Sequence, residues 1–119
     1  MQNDRTDYGA IYLAYFTGVS GSSLGLFLMK DGIIAGADLG GWKYDGRFTI
    51  DEASSCLDGD VEFTVPPGQI SITGAVAGDE PLRISVPLHL PLDLARDEFH
   101  RIETPAGPIN VRFELIRSI

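Results

Sequence analysis

The chain has one cysteine, two histidines, two methionines and one tryptophan in 119 residues. With Cys56 alone, no intrachain disulfide can form and no cysteine-based zinc site can be assembled. Basic residues are scarce too: nine Lys and Arg stand against 17 Asp and Glu, a net charge of −8. Such a surface repels phosphate backbones and anionic headgroups, so direct binding of nucleic acid or membrane is not expected. A protein with a basic surface is a fitting partner. No apolar run approaches the roughly 20 residues needed to span a bilayer. Residues Gln2 to Asp7 are polar and lack the layout of a secretory signal, which makes a cytoplasmic location the expectation.

What the chain does have is apolar residues, at 44%, and 14 glycines. The length suits one domain, expected over residues 8–119 behind a loose polar arm at 1–7. From Tyr8 to Phe48, four short apolar and aromatic runs are separated by glycine turns, the pattern of a curved antiparallel sheet. Asp31-Gly32 between two such runs predicts a type I′ hairpin turn, and Gly46 reads as a bulge. Asp58-Gly59 reads as a further turn before Val61 to Val65, and Pro66-Pro67-Gly68 ends that strand. Ile70, Ile72 and Val76 alternate with small polar residues, predicting a half-buried strand kinked at Gly74. Leu82 to Leu88, then Phe99 to Glu103, then Ile109 to Ile116 complete the set, with 91–98 either a short helix or a loop. The count is eight or nine strands with little helix. The expected fold is all-β, an antiparallel barrel of about eight strands in the manner of calycins and lipocalins, with an open sandwich as the alternative.

The first run is apolar on both faces. Tyr8, Ala10, Tyr12, Ala14 and Phe16 share one side, and Ile11, Leu13 and Tyr15 the other. A strand apolar on both sides must be covered on both sides. One face fills the barrel, and the surplus predicts a homodimer contact for which Tyr8, Ile11, Leu13 and Tyr15 are the candidates. The aromatic set Tyr12, Phe16, Phe27, Trp42, Tyr44 and Phe48 reads first as core; it can also wall a cavity for a small apolar ligand.

Nothing announces a reaction. Cys56 with His89 or His100 is an arithmetically possible nucleophile–base dyad, but Asp58 near the thiol opposes the thiolate such chemistry needs. The two histidines match no metal-ligand spacing and read as surface residues. Asp51-Glu52, Asp58 and Asp60 read as turn acids. No enzyme activity, metal or cofactor is expected.

Asp7-Tyr8-Gly9, Tyr12 and Phe16, then Gly25, Asp31-Gly32, Ile34, Gly36-Ala37-Asp38, Tyr44, Gly46 and Phe48 resemble the opening of the GrlR-like family. These are small negative regulators of type III secretion with a calycin-like barrel. The resemblance covers about the first 50 residues. It implies a non-enzymatic regulator that sequesters a partner protein of basic surface, gripped through an acidic loop after the Tyr-x-Gly strand. Here that loop holds only Asp51 and Glu52, to which such a contact would fall, and Ala37 stands where the family has a second glycine. A carrier of a small apolar ligand is the alternative function.

Overall fold

A computed structural model describes residues 4–72, 74–96, 98–105 and 107–119. Within them the chain is all-β, with no helix. The strands are β1 (Asp4–Arg5), β2 (Gly9–Gly18), β3 (Gly21–Lys30), β4 (Ile33–Asp38), β5 (Lys43–Asp51), β6 (Cys56–Val65), β7 (Leu82–Pro91), β8 (His100–Thr104) and β9 (Gly107–Ser118). All pairings are antiparallel, in the order β7-β6-β5-β4-β3-β2-β9-β8, with β1 beside β5. The two ends of this order, β7 and β8, approach each other, so the sheet is a nearly closed barrel of eight strands. The polar segment at the start of the chain thus contributes a strand of its own, Asp4 and Arg5 facing Asp51 and Ile50.

Two-residue periodicity decides what fills the barrel. Along β2, Ala10, Tyr12, Ala14 and Phe16 are buried and Ile11, Leu13 and Tyr15 are half-buried. Phe27 and Met29 of β3, Phe48 and Ile50 of β5, Leu57 and Phe63 of β6, Ile84 and Val86 of β7 and Val111 of β9 point into the same core. The Asp31-Gly32 turn has positive φ at both residues, 51° and 85°, which the type I′ geometry requires.

Three expectations change. Gly46 is not a bulge, because the β4–β5 and β5–β6 registers run through it without a shift. Asp58-Gly59 is not a turn but part of β6. Both glycines serve close approach. A Cβ on Gly46 would lie 2.1 Å from the Asp60 carbonyl oxygen, and one on Gly59 2.0 Å from that of Arg47. They are the kinks at which the β5–β6 hairpin coils sharply enough to roll the sheet. The third change concerns the segment 69–77, whose described residues form no strand beyond one isolated bridge, Ile70 to Val76. Pro66-Pro67 and positive φ at Gly68 and Gly74 take this segment out of the ladder. Its phase is inverted as well: Ile70 and Val76 are exposed, whereas Ser71 and Ala77 are buried. Residues 92–96 hold turns and bends and no helix, with Leu94 buried and its carbonyl oxygen accepting a hydrogen bond from His100 Nε2 at 3.0 Å.

The up-and-down order gives the barrel two unlike ends. The β2–β3 and β4–β5 turns, the 66–81 loop and the β8–β9 turn gather at one, the mouth. The β3–β4 and β5–β6 turns and the 92–99 connection gather at the other. Gly46→Ala is expected to destabilise the fold by about 2 kcal/mol, since backbone must shift to admit the methyl. Gly78→Ala, whose Cβ would meet nothing within 4 Å, is the near-neutral comparison, and urea midpoints measure both.

Candidate functional site

The mouth is built from inward-facing positions at the strand ends. Ile34, Gly36 and Asp38 share the inner side of β4, so its last residue places a carboxylate at the rim. Asp38 Oδ1 accepts hydrogen bonds from the backbone N–H groups of Gly40 (3.0 Å) and Trp42 (3.1 Å). Its Oδ2 accepts one from the Tyr44 hydroxyl at 2.8 Å. Trp42 Nε1 donates across the mouth to Gln69 Oε1 at 2.9 Å, tying the 66–81 loop to the β4–β5 turn. The Ser20 N–H donates to the Ile72 carbonyl oxygen at 2.8 Å and ties the same loop to the β2–β3 turn. Beneath this loop lies a cavity of about 370 Å³, lined by Phe16, Trp42, Tyr44 and Phe63 together with Asp38, Gln69 and several small polar residues.

Below the mouth is a second, smaller cavity of about 80 Å³ inside the barrel, whose lining is wholly apolar. One water needs roughly 10–15 Å³ and two or more polar partners, so this space has room for several waters and holds none of them well. Phe16, Tyr44, Phe63 and Ile109 line both cavities, which adjoin there. The aromatic rings are packed on one another: Tyr44 lies 5.1 Å from Phe27, 5.4 Å from Phe63 and 6.1 Å from Phe16, centroid to centroid. Burial, then the bond to Asp38, raises the Tyr44 phenol well above its ordinary range. Burial, then the hydroxyl of Tyr8, does the same for Tyr12.

Of the six residues expected around a cavity, Phe16 and Tyr44 line both spaces, Phe27 the inner one and Trp42 the mouth. Tyr12 and Phe48 are buried elsewhere in the core, Tyr12 against Phe113 and Phe48 against Tyr8. Phe63 and Asp38 are not in the set expected around a cavity, although alternation through Val61, Phe63 and Val65, and through Ile34, Gly36 and Asp38, puts each on an inner face.

On the outside, Ile11, Leu13 and Tyr15 do share one face. Tyr8 does not: it packs on Phe48 and its hydroxyl meets that of Tyr12 on the inner side. The register extends the outer face into two rows across five strands. One runs Glu114, Leu13, Leu26, Ala37, Lys43, and the next Arg117, Ile11, Leu28, Ala35, Asp45. A bulge in β9 places Arg117, and not Ile116, opposite Ile11. Leu26, Leu28 and neighbouring Ile33 are 50%, 40% and 57% exposed. Tyr15 donates to Glu114 at 3.2 Å, and the Arg112 guanidinium lies 4.8 Å over its ring.

The other candidates are dispersed. Glu52 pairs with Arg5, which also holds Asp7 at 3.1 Å, and Asp51 accepts from the Ala53 N–H at 3.0 Å. The Cys56 thiol donates to the Ser54 carbonyl oxygen at 3.4 Å, and His89 pairs with Asp58. His100 is not a surface histidine but is buried beneath Phe113, because its inward position on β8 is satisfied by the Leu94 carbonyl. Among the described residues no three His, Cys, Asp or Glu side chains are placed to hold a metal ion. No helix among the described residues is long and apolar enough to cross a membrane.

No protein-family model, curated protein or solved structure matches the chain.

The raised phenols set an alkaline limit. Unfolded tyrosine releases its proton near 10.0, whereas Tyr12 and Tyr44 keep theirs beyond that in the folded state. Their contribution to stability is full below pH 10 and falls as pH rises above it, because the unfolded chain then binds fewer protons. Phenolate absorbance is expected to leave both residues un-ionised until the chain unfolds, and Tyr44→Phe to remove one phenol from that late step.

Proposed function

We propose that the chain is a non-enzymatic interaction module that works as a homodimer through the outer face of β2, β3 and β4, and sequesters a partner protein. The observation that carries this is the pattern of charge around the apolar rows. Each row is apolar in its middle and charged at both ends, Glu114 and Lys43 in one, Arg117 and Asp45 in the other. The four corners therefore alternate in sign.

A two-fold interface sets the same patch against itself. With the axis along the strands, Glu114 of one copy meets Lys43 of the other, and Arg117 meets Asp45. With the axis across the strands, Glu114 meets Arg117 and Lys43 meets Asp45. Both arrangements bring opposite charges together around leucine and isoleucine side chains that a monomer would leave in water. Lys43, Asp45 and Arg117 have no ion pair within the chain among the described residues. The neighbouring outer face of β6 presents Asp58, Asp60 and Glu62, a surface suited to a basic protein partner. The resemblance to GrlR-like regulators supports the same reading.

Light scattering at micromolar concentration is expected to give twice the chain mass of 12.9 kDa, and Leu26→Glu to give the monomer. Glu114→Lys should weaken the dimer about tenfold or more by setting like charges together. Adding Lys43→Glu restores it for one axis, and adding Arg117→Glu for the other. A wild-type monomer would overturn the reading.

A second reading, favoured by the apolar cavity in the barrel, is a carrier of a small apolar ligand. Saturable fluorescence enhancement of an apolar dye supports it; absence of saturation removes it.

A further inference from the structure

We infer that the mouth of the barrel binds an amphiphile by its cationic ammonium head, with the apolar tail directed into the barrel. This rests on the carrier reading and adds the chemistry of the head. Asp38 is the sole charged side chain lining the mouth cavity among the described residues, and no Lys, Arg or His pairs with it there. Its carboxylate is held in place by Gly40, Trp42 and Tyr44, and Oδ2 keeps an acceptor position beyond the Tyr44 bond.

The surrounding walls are aromatic. Trp42, Tyr44, Phe16 and Phe63 face the same space, and aromatic faces attract ammonium groups. A carboxylate set among them favours a cation and repels a fatty acid's headgroup. A neutral head gains neither effect. The inner cavity, about 80 Å³ and without a polar atom in its lining, suits the end of a hydrocarbon chain whose remainder lies against the aromatic walls of the mouth, and Phe16, Tyr44, Phe63 and Ile109 border both spaces. One molecule can thus satisfy both chemistries.

Trp42 is the only tryptophan in the chain and lines the mouth, so its emission reports occupancy directly. Decyltrimethylammonium, decanol and decanoate, titrated against the native protein, share one tail and differ in head. The expected order is decyltrimethylammonium tightest, by about tenfold or more over decanol, with decanoate weakest. Asp38→Asn keeps an acceptor for the Gly40 and Trp42 N–H groups and removes the charge; it should abolish the preference while decanol still binds. Equal affinity for decanol and the ammonium on native protein overturns the head assignment and leaves the carrier reading standing, as does a preference that survives Asp38→Asn. No saturable change with any of the three overturns both.

Discussion

Closing a sheet into a barrel demands that its inner surface be shorter than its outer one, and the strands must bend where inward side chains would collide. Here that bend falls in the β5–β6 hairpin, at the inward positions of Gly46 and Gly59, where the neighbouring backbone occupies the space a side chain would need. Everything inside follows from it. Tyr44 and Phe63 are paired across this hairpin, Gly36 stands between Tyr44 and Phe27 in the same row, and these rings meet that of Phe16 in one cluster. Inward glycines on the adjoining strands, Gly25 of β3 and Gly36 of β4, leave room for those rings. The apolar space deeper in the barrel is what remains when large rings and small backbone positions share one tapered interior.

The same periodicity that fills the barrel loads its outside unevenly. β2 sits in the middle of the sheet with β3 and β9 on either side, and its outward residues are as apolar as a core strand's. Its neighbours β3 and β4 continue that character, whereas β5 and β9 turn charged at the same rows. An apolar stripe bounded on both sides by ions of both signs is costly for a lone molecule and apt for a pair. The inside of the barrel and its outer stripe therefore make separate demands on one strand, which explains why β2 shows no polar face.

Much of this was legible in the residues. Strand identity, the Asp31-Gly32 turn and the doubly apolar first strand followed from alternation and turn chemistry that act locally. What escaped depended on neighbours distant in sequence. Gly46 and Gly59 look like a bulge and a turn until it is known that they face each other's strands. Residues 69–77 alternate as a strand should, yet prolines and left-handed glycines lift them over the mouth, with the isoleucine and valine outward and the serine inward. His100 and Phe63 obey simple parity on their strands, but parity has meaning only when one knows which side is in.

β9, which follows all the other strands in chain order, is not an edge. β9 is inserted between β2 and β8, with Ala10 opposite Ser118, so the ladder joining them spans nearly the whole chain. During synthesis, β2 through β7 can assemble as an open meander, but β2 keeps a bare edge until β9 has been made. Closure is thus a late, long-range event, with the slow search that such pairings carry. Until then the nascent protein exposes the very strand whose two greasy sides most need a neighbour.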